Sequence, residues 1–200
     1  MKYPENTFDS NIYADESTSK YYSSKSFDLA DKYSKTEDHF SKLFIKYLSR
    51  GIKILDIGCG SGRDLSNIGK SGFIVSGADS SEKMIVAAVN RYPELKDKIV
   101  LSGLPDLPGI NNKQNGILCS AVLQHIPDNN LYESLRRIRD LLKDKGIFIV
   151  SFPIKYHGIN PETYRDQSGR LFHIRPEEKY RFLIERLGLV FLESEIQVDS

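Results

Sequence analysis

The sequence has little of what several classes of protein require. Among its 200 residues are only two cysteines, Cys59 and Cys119, which can form neither a disulfide framework nor, by themselves, a four-ligand metal site. No cluster of Cys and His suggests a metal, so none is predicted. No apolar run approaches the roughly 20 residues that span a bilayer. The first six residues lack the apolar core of a signal peptide. These absences predict a cytoplasmic protein without a membrane partner.

Charge of one sign is also lacking. The 28 Lys and Arg residues against 27 Asp and Glu leave a net charge of +1. A protein that depends on phosphate contacts usually carries a clear basic excess, so no nucleic-acid partner is predicted. The length suits one domain. Residues 1–25 are polar and predict a mobile arm or a lid, and residues 26–200 predict a single domain. The sequence does not indicate an oligomeric state.

Strand and helix patterns alternate along the chain. Strands are predicted at 52–57, 73–78, 99–102, 116–122, 147–152 and 189–198, and helices at 40–48, 63–70 and 176–187. A further helix should begin after Ser80 or Ser81, and another after Asp128 or Asn129, the latter ending near Gly146. This alternation predicts a doubly wound α/β sheet with helices on both faces, in which ligands bind beyond the carboxyl ends of the strands.

A glycine-rich turn follows the first predicted strand. Gly58, Gly60 and Gly62 are spaced G-x-G-x-G, and Arg63 stands where dinucleotide-binding sites have their last glycine. Asp56 precedes the turn; a carboxylate there suits an ammonium group and would repel a pyrophosphate. The pattern favours a nucleotide-type ligand other than NAD, although a nicotinamide-dependent oxidoreductase stays open as an alternative.

The segment Ile54-Leu55-Asp56-Ile57-Gly58-Cys59-Gly60-Ser61-Gly62 resembles the first motif of the class I S-adenosylmethionine-dependent methyltransferases. Asp79, at the end of the second predicted strand, matches the acid that binds ribose in that family. Residues 120–127, Ser-Ala-Val-Leu-Gln-His-Ile-Pro, resemble the segment after the fourth strand in many small-molecule members, and residues 141–148 resemble the passage that follows. The resemblance covers about residues 20–200 and implies a Rossmann-like sheet.

The resemblance also implies S-adenosylmethionine as cofactor and assigns residues to it. The implied cofactor-binding residues are Asp56, Gly58, Cys59, Gly60, Gly62, Asp79, Ser80, Leu104, Ser120 and Tyr22. Glycines let the backbone approach the ligand closely. Two alternatives stay open: Asp79 as a helix cap or turn acid, and Asp56 as a strand-end acid satisfied by backbone amides.

The sequence departs from the family pattern in two places. Gly103 stands near the acid that binds adenine in many relatives, so backbone groups near Gly103 and Leu104 are expected to read adenine, with Leu104 packing on the ring. The family sheet has seven strands, and the sixth is placed here at 189–198. The seventh is therefore expected to be absent, through truncation or because a partner supplies the edge.

His125 is the candidate catalytic base, because the segment after the fourth strand lies beside the transferred methyl group in the family. The alternative is that Gln124 or His125 only shapes the pocket. Tyr21 and Tyr22 would form a lid over the cofactor, or belong to a disordered arm. Residues 156–173 would form a substrate wall or an ordinary surface excursion. The predicted function is methyl transfer to a small-molecule acceptor, with a non-catalytic cofactor- or partner-binding domain as an alternative.

Overall fold

A computed structural model describes residues 15–196. Seven α-helices lie in this part of the chain: α1 (Glu16–Ser24), α2 (Ser26–Tyr33), α3 (Phe40–Tyr47), α4 (Arg63–Lys70), α5 (Glu82–Arg91), α6 (Asp128–Leu141) and α7 (Glu177–Arg186). Five strands lie between them: β1 (Lys53–Ile57), β2 (Ile74–Asp79), β3 (Ile99–Leu101), β4 (Gln114–Ser120) and β5 (Leu142–Ser151).

All five strands pair in parallel, in the order β3-β2-β1-β4-β5. The order reverses between β1 and β4, which is the switch point where a crevice opens at the carboxyl ends of the strands. The predicted doubly wound α/β fold is confirmed. The glycine turn after β1 and the segment after β4 flank this switch point.

Alternate residues of the central strands face two apolar cores. Leu55 and Ile57 of β1 join a core with α6 and α7, whereas Ile54 joins a second core with α3, α4 and α5. Burial on both faces is typical of a parallel sheet covered by helices on each side. The predicted apolar stripe of α6 lies in the first core, where Leu131, Leu135, Ile138 and Leu141 are almost fully buried.

Two predicted helix ends were wrong. Pro127, not Asp128 or Asn129, is the N-cap of α6, and no side chain caps it. The helix ends at Leu141, and the chain becomes extended at once, so that Gly146 lies inside β5. A Cβ at Gly146 would stand 2.9 Å from the Lys143 carbonyl oxygen. Glycine is needed there for close backbone approach beside the irregular pairing of β4 and β5. Ser81, one of two predicted caps, accepts from Met84 N at the start of α5.

The predicted sixth strand was also wrong as far as the structure describes it. Residues 189–196 form no strand, and the end of the predicted range, 197–198, lies outside the described residues. Glu193 pairs with Lys46 of α3 at 2.6 Å, and Glu195 pairs with His39. Val190 is 82% exposed. The segment thus attaches to α3 through its charged side chains, while Leu189 packs, partly buried, against the first core.

The predicted N-terminal arm lies partly outside the described residues, which begin at Asp15. Its described part is helical, since Asp15 caps α1 by accepting from Thr18 N at 3.0 Å. Its mobility and its separation from the rest of the domain stay predictions. Between residues 15 and 196, none of the helices combines the length and apolarity that crossing a membrane requires.

Candidate active site

The glycine turn joins β1 to α4 through three residues in left-handed conformations. Gly58, Gly60 and Gly62 have φ angles of +69°, +51° and +74°. A Cβ at Gly58 would overlap Val122, and one at Gly62 would lie 2.7 Å from Leu95 Cδ1. Glycine is therefore required at both positions for space as well as for backbone conformation. The turn presents backbone, not side chains, to the crevice.

Asp79 fastens this turn to the end of β2. Its Oδ2 accepts from Gly60 N and its Oδ1 from Ser81 N, each at 2.8 Å. Burial raises the pKa of the Asp79 carboxyl, and the two backbone donors oppose that rise. Asp79 thus has the turn-acid role that was one of its alternatives. Its two oxygens keep further lone pairs that can accept hydroxyl groups, so the ribose role stays compatible with this geometry.

Asp56 differs from Asp79 in having no donor. Its side chain is 2% exposed, and no group of residues 15–196 donates a hydrogen bond to it. Arg63, the nearby cation, is bound by Asp64, to which it donates at 2.8 and 2.9 Å. Burial raises the pKa of Asp56 well above its usual range, and the Asp64 and Asp79 carboxylates add to the rise. Backbone amides therefore do not satisfy this carboxylate, contrary to the alternative considered from the sequence.

Both ring nitrogens of His125 are hydrogen-bonded. Nδ1 lies 2.5 Å from the Leu171 carbonyl oxygen, which can only accept, so Nδ1 carries the proton. Nε2 then accepts from the Tyr22 hydroxyl at 3.0 Å. Burial lowers the pKa of His125 to about 4 and raises that of Tyr22 to about 12. Both groups are neutral at pH 7, which favours the pocket-shaping role of His125 over that of a base.

Helix α1 lies against the ends of two strands. Tyr22 reaches His125 after β4, and Ser23 Oγ lies 2.9 Å from Ser81 Oγ after β2. Tyr21 packs edge-on against Tyr22, with ring centroids 5.4 Å apart. The helix therefore stands where the sequence placed a lid.

The other predicted cofactor residues are in different environments. Cys59 is buried in the turn, and Ser80 is exposed beside Asp79. Ser120 Oγ lies 2.8 Å from Ser151 Oγ across the ends of β4 and β5. Leu104 is 3% exposed within the core shared with α6, which leaves little of its side chain to pack on an adenine ring.

The segment 165–172 binds α1 in a way that the sequence did not indicate. Arg165 donates two hydrogen bonds of 2.7 Å to Asp15, and Leu171 N donates to Thr18 Oγ1 at 2.9 Å. The Arg170 guanidinium, paired with Asp166, lies 4.5 Å from the centroid of the Tyr21 ring. Interleaved arginines and aromatics were visible in the sequence, but their partners lie about 150 residues away.

Arg175 is a second feature that the sequence did not reveal. It is 3% exposed and donates to the carbonyls of Leu123, at 2.9 Å, and Ile126, at 2.6 Å. Its Nε donates to Asp128 at 2.7 Å. A buried guanidinium with three such partners fixes the turn that carries His125.

Two open cavities adjoin this region. One, of about 380 Å³, is lined by His125, Pro105, Asn130 and the Asp15–Arg165 pair. The other, of about 440 Å³, is called the aromatic cleft below and is lined by Tyr156, Ile159, Pro161, Tyr164, Phe172 and Ile174, with Lys155 and His157. Within the described part of the chain, no group of three or more His, Cys, Asp or Glu side chains is arranged to hold a metal.

Comparison with known proteins shows which proteins carry similar features. A model described as a methyltransferase domain matches residues 54–146. A putative methyltransferase from Geobacillus sp. is 26% identical over 121 residues, covering 58% of this chain and 49% of that protein. A ubiquinone biosynthesis O-methyltransferase from Rickettsia bellii is 31% identical over 103 residues, covering 50% of this chain and 41% of that protein. The chain thus aligns with about half or less of the length of these relatives.

A solved structure shares the fold. The Burkholderia thailandensis 1,6-didemethyltoxoflavin-N1-methyltransferase, bound to 1,6-didemethyltoxoflavin and S-adenosylhomocysteine, superposes with a TM-score of 0.72 at 22% identity. The match covers 90% of this chain and 79% of that one. The domain match spans the glycine turn, Asp79 and the segment after β4, so this part of the chain is similar to methyltransferase domains, and the solved structure shows that the fold is shared.

Proposed function

We propose that the protein transfers a methyl group from S-adenosylmethionine to a small-molecule acceptor. The observation that carries this proposal is Asp56, a buried carboxylate that no described residue satisfies, at the carboxyl end of β1 beside the glycine turn. A buried charge without a partner is costly, so such a group is expected to meet a cationic ligand. The amino acid end of S-adenosylmethionine carries an ammonium group.

The residues present fit this cofactor. Gly58 and Gly62 provide a backbone cradle from which side chains are excluded, and Asp79 holds the cradle in place. We assign Asp56 to the ammonium group and the remaining lone pairs of Asp79 to the ribose hydroxyls. When bound, the cofactor supplies a methyl group on a cationic sulfur. The acidic surroundings of the turn suit that positive charge.

The residues after β4 position the methyl acceptor and do not remove protons from it. Because His125 is neutral and hydrogen-bonded at both nitrogens, it is poorly suited to deprotonate an acceptor at pH 7. The acceptor should therefore already be a reactive nucleophile, and the protein's contribution is to hold it in line with the donor. Tyr22 of α1 would close the site against water.

A small acceptor is supported by the dimensions of the site. The two cavities that adjoin the candidate active site measure about 380 and 440 Å³, within the range of small-molecule pockets. The balanced charge of the chain gives no support to a nucleic-acid acceptor. Two of the proteins named above, the ubiquinone biosynthesis O-methyltransferase and the 1,6-didemethyltoxoflavin-N1-methyltransferase, are named for small molecules. The cytoplasmic location stays a prediction.

Calorimetry with S-adenosylmethionine, its demethylated product and NAD tests the proposal. Both sulfur compounds should bind to the wild-type protein and NAD should not, and Asp79→Ala should weaken cofactor binding at least about tenfold because the turn loses its fastening. An exposed acid, Asp140→Ala, serves as the matched control. NAD binding without a response to either sulfur compound would favour the oxidoreductase. Cofactor binding without methyl transfer to a metabolite pool would favour the non-catalytic alternative.

A further inference from the structure

The aromatic cleft is built from rings that the protein leaves partly uncovered. Tyr156 is 39% exposed and Tyr164 is 48% exposed, whereas Phe172 on the cleft wall is 5% exposed. Tyr156 stacks on Phe172 with centroids 4.3 Å apart and planes 15° from parallel. Adjoining aromatic rings left open to solvent are typical of a binding surface.

The backbone at Tyr164 is strained in a way that maintains this exposure. Its φ is +55°, a left-handed conformation that bulky side chains rarely adopt. Tyr164 N donates to the Asn160 carbonyl at 2.8 Å, and Phe172 N donates to the Tyr164 carbonyl at 2.7 Å, so the conformation is held from both sides. The ring stacks on His173 with centroids 4.5 Å apart. A strained residue that presents an aromatic ring to a cavity indicates a functional constraint.

The charge of the cleft selects among aromatic ligands. Lys155 lines the cleft and, within residues 15–196, forms no ion pair. Asp166, a carboxylate of this segment, is paired with Arg170 at 2.7 Å. An uncompensated ammonium beside stacked rings is complementary to a flat molecule that carries a negative group.

The cleft adjoins the candidate active site through one ring. Phe172, a wall of the cleft, packs edge-on against His125 with centroids 4.7 Å apart. The cleft volume of about 440 Å³ accommodates a small molecule. We propose that the aromatic cleft binds a planar aromatic ligand bearing an anionic group. We assign this ligand as the methyl acceptor, an assignment that rests on the proposed function.

Naphthoate, an aromatic carboxylate with intrinsic fluorescence, tests the cleft without knowledge of the natural ligand. The wild-type protein should bind it saturably and more tightly than naphthylmethylamine, a cation with the same ring system. Lys155→Glu should weaken naphthoate binding about tenfold. Tyr164→Gly should weaken it by a comparable factor while the melting temperature is kept or raised, because glycine accepts the left-handed backbone.

Matched controls are Lys113→Glu and Tyr132→Ala, which change an exposed lysine and an exposed tyrosine away from the cleft and should leave naphthoate binding unchanged. The inference is overturned by absence of saturable binding, by preference for the amine, or by equal affinity in the wild-type protein and both cleft variants. Calorimetry with S-adenosylmethionine on the same preparations separates the two proposals. Cofactor binding without naphthoate binding refutes the cleft alone, and naphthoate binding without cofactor binding refutes the methyltransferase assignment alone.

Discussion

Replacing Asp56 by asparagine should make the free protein more stable and the cofactor complex weaker. The wild-type carboxylate is 2% exposed and receives no hydrogen bond from residues 15–196, so its charge destabilises the folded state. Asparagine has nearly the same shape and no charge. Removal of this poorly solvated charge contributes about 1–3 kcal/mol, which corresponds to a rise of roughly 2–12 °C in the melting temperature of a domain of this size.

The pH dependence of this gain has a definite sign. Burial and the neighbouring acids raise the pKa of Asp56 in the folded state, so the folded protein holds this proton more tightly than the unfolded chain does. Stability from this group is present below the unfolded pKa and is lost as pH rises through the raised folded pKa. The stability difference between Asp56→Asn and wild type should therefore be largest at neutral pH and should shrink as the medium is acidified.

Cofactor affinity should change in the opposite direction. Loss of a charge-assisted hydrogen bond costs about 1.5–3 kcal/mol, which predicts roughly 10- to 150-fold weaker binding of S-adenosylmethionine. Thermal unfolding across pH and titration calorimetry measure the two effects in one preparation. Asp140→Asn, which changes an exposed acid, should alter neither. A lower melting temperature together with unchanged affinity in Asp56→Asn would show that the carboxylate has a protein partner and does not face the cofactor.

Two other residues give predictions of their own. The imidazole resonances of His125 should not titrate between about pH 5.5 and 8, because its pKa is lowered to about 4; a midpoint near 6.5 in an NMR titration would restore the base mechanism. Arg175→Lys should destabilise the domain by about 2–4 kcal/mol in urea unfolding, because lysine cannot bind the Leu123 and Ile126 carbonyls together. The control substitution Arg136→Lys, at an exposed arginine, should change the free energy of unfolding by less than about 0.5 kcal/mol. Equal effects of the two substitutions would contradict the role given to Arg175.

Local sequence signals predicted the elements around the cradle well. Helix α4 has the predicted bounds, Arg63–Lys70, and Ser81 caps α5 as one of two candidates. These features depend on residues within a few positions of one another, where periodicity and capping act directly. The glycine spacing also included Gly58 and Gly62, where an added Cβ would clash with Val122 and Leu95.

Features that depend on distant pairing were not predictable in this way. The segment 189–196 has an apolar pattern suitable for a strand, yet its acidic residues pair with α3. The Tyr22–His125 bond joins residues 103 positions apart, and the Asp15–Arg165 pair joins residues 150 apart. Neither periodicity nor spacing carries information about such partners, because tertiary packing brings them together only after the elements have formed. The protonation of His125 depends on these partners, which is why the sequence left it open as a candidate base.

The two acids at the ends of β1 and β2 differ in whether the protein itself supplies their hydrogen-bond donors. Each carboxylate oxygen of Asp79 accepts a hydrogen bond from a backbone amide, and the bond from Gly60 N sets the position of Gly60 relative to β2. Asp56 lies one strand away at a similar depth and makes no such bond within the described chain. If both acids were structural, satisfying Asp56 with a nearby amide would be stabilising and cost the fold little. The absence of a protein donor to Asp56, beside a glycine turn that Asp79 holds in place, is better explained by a ligand that supplies the donor. Asp56 therefore favours cofactor binding at the expense of folding stability.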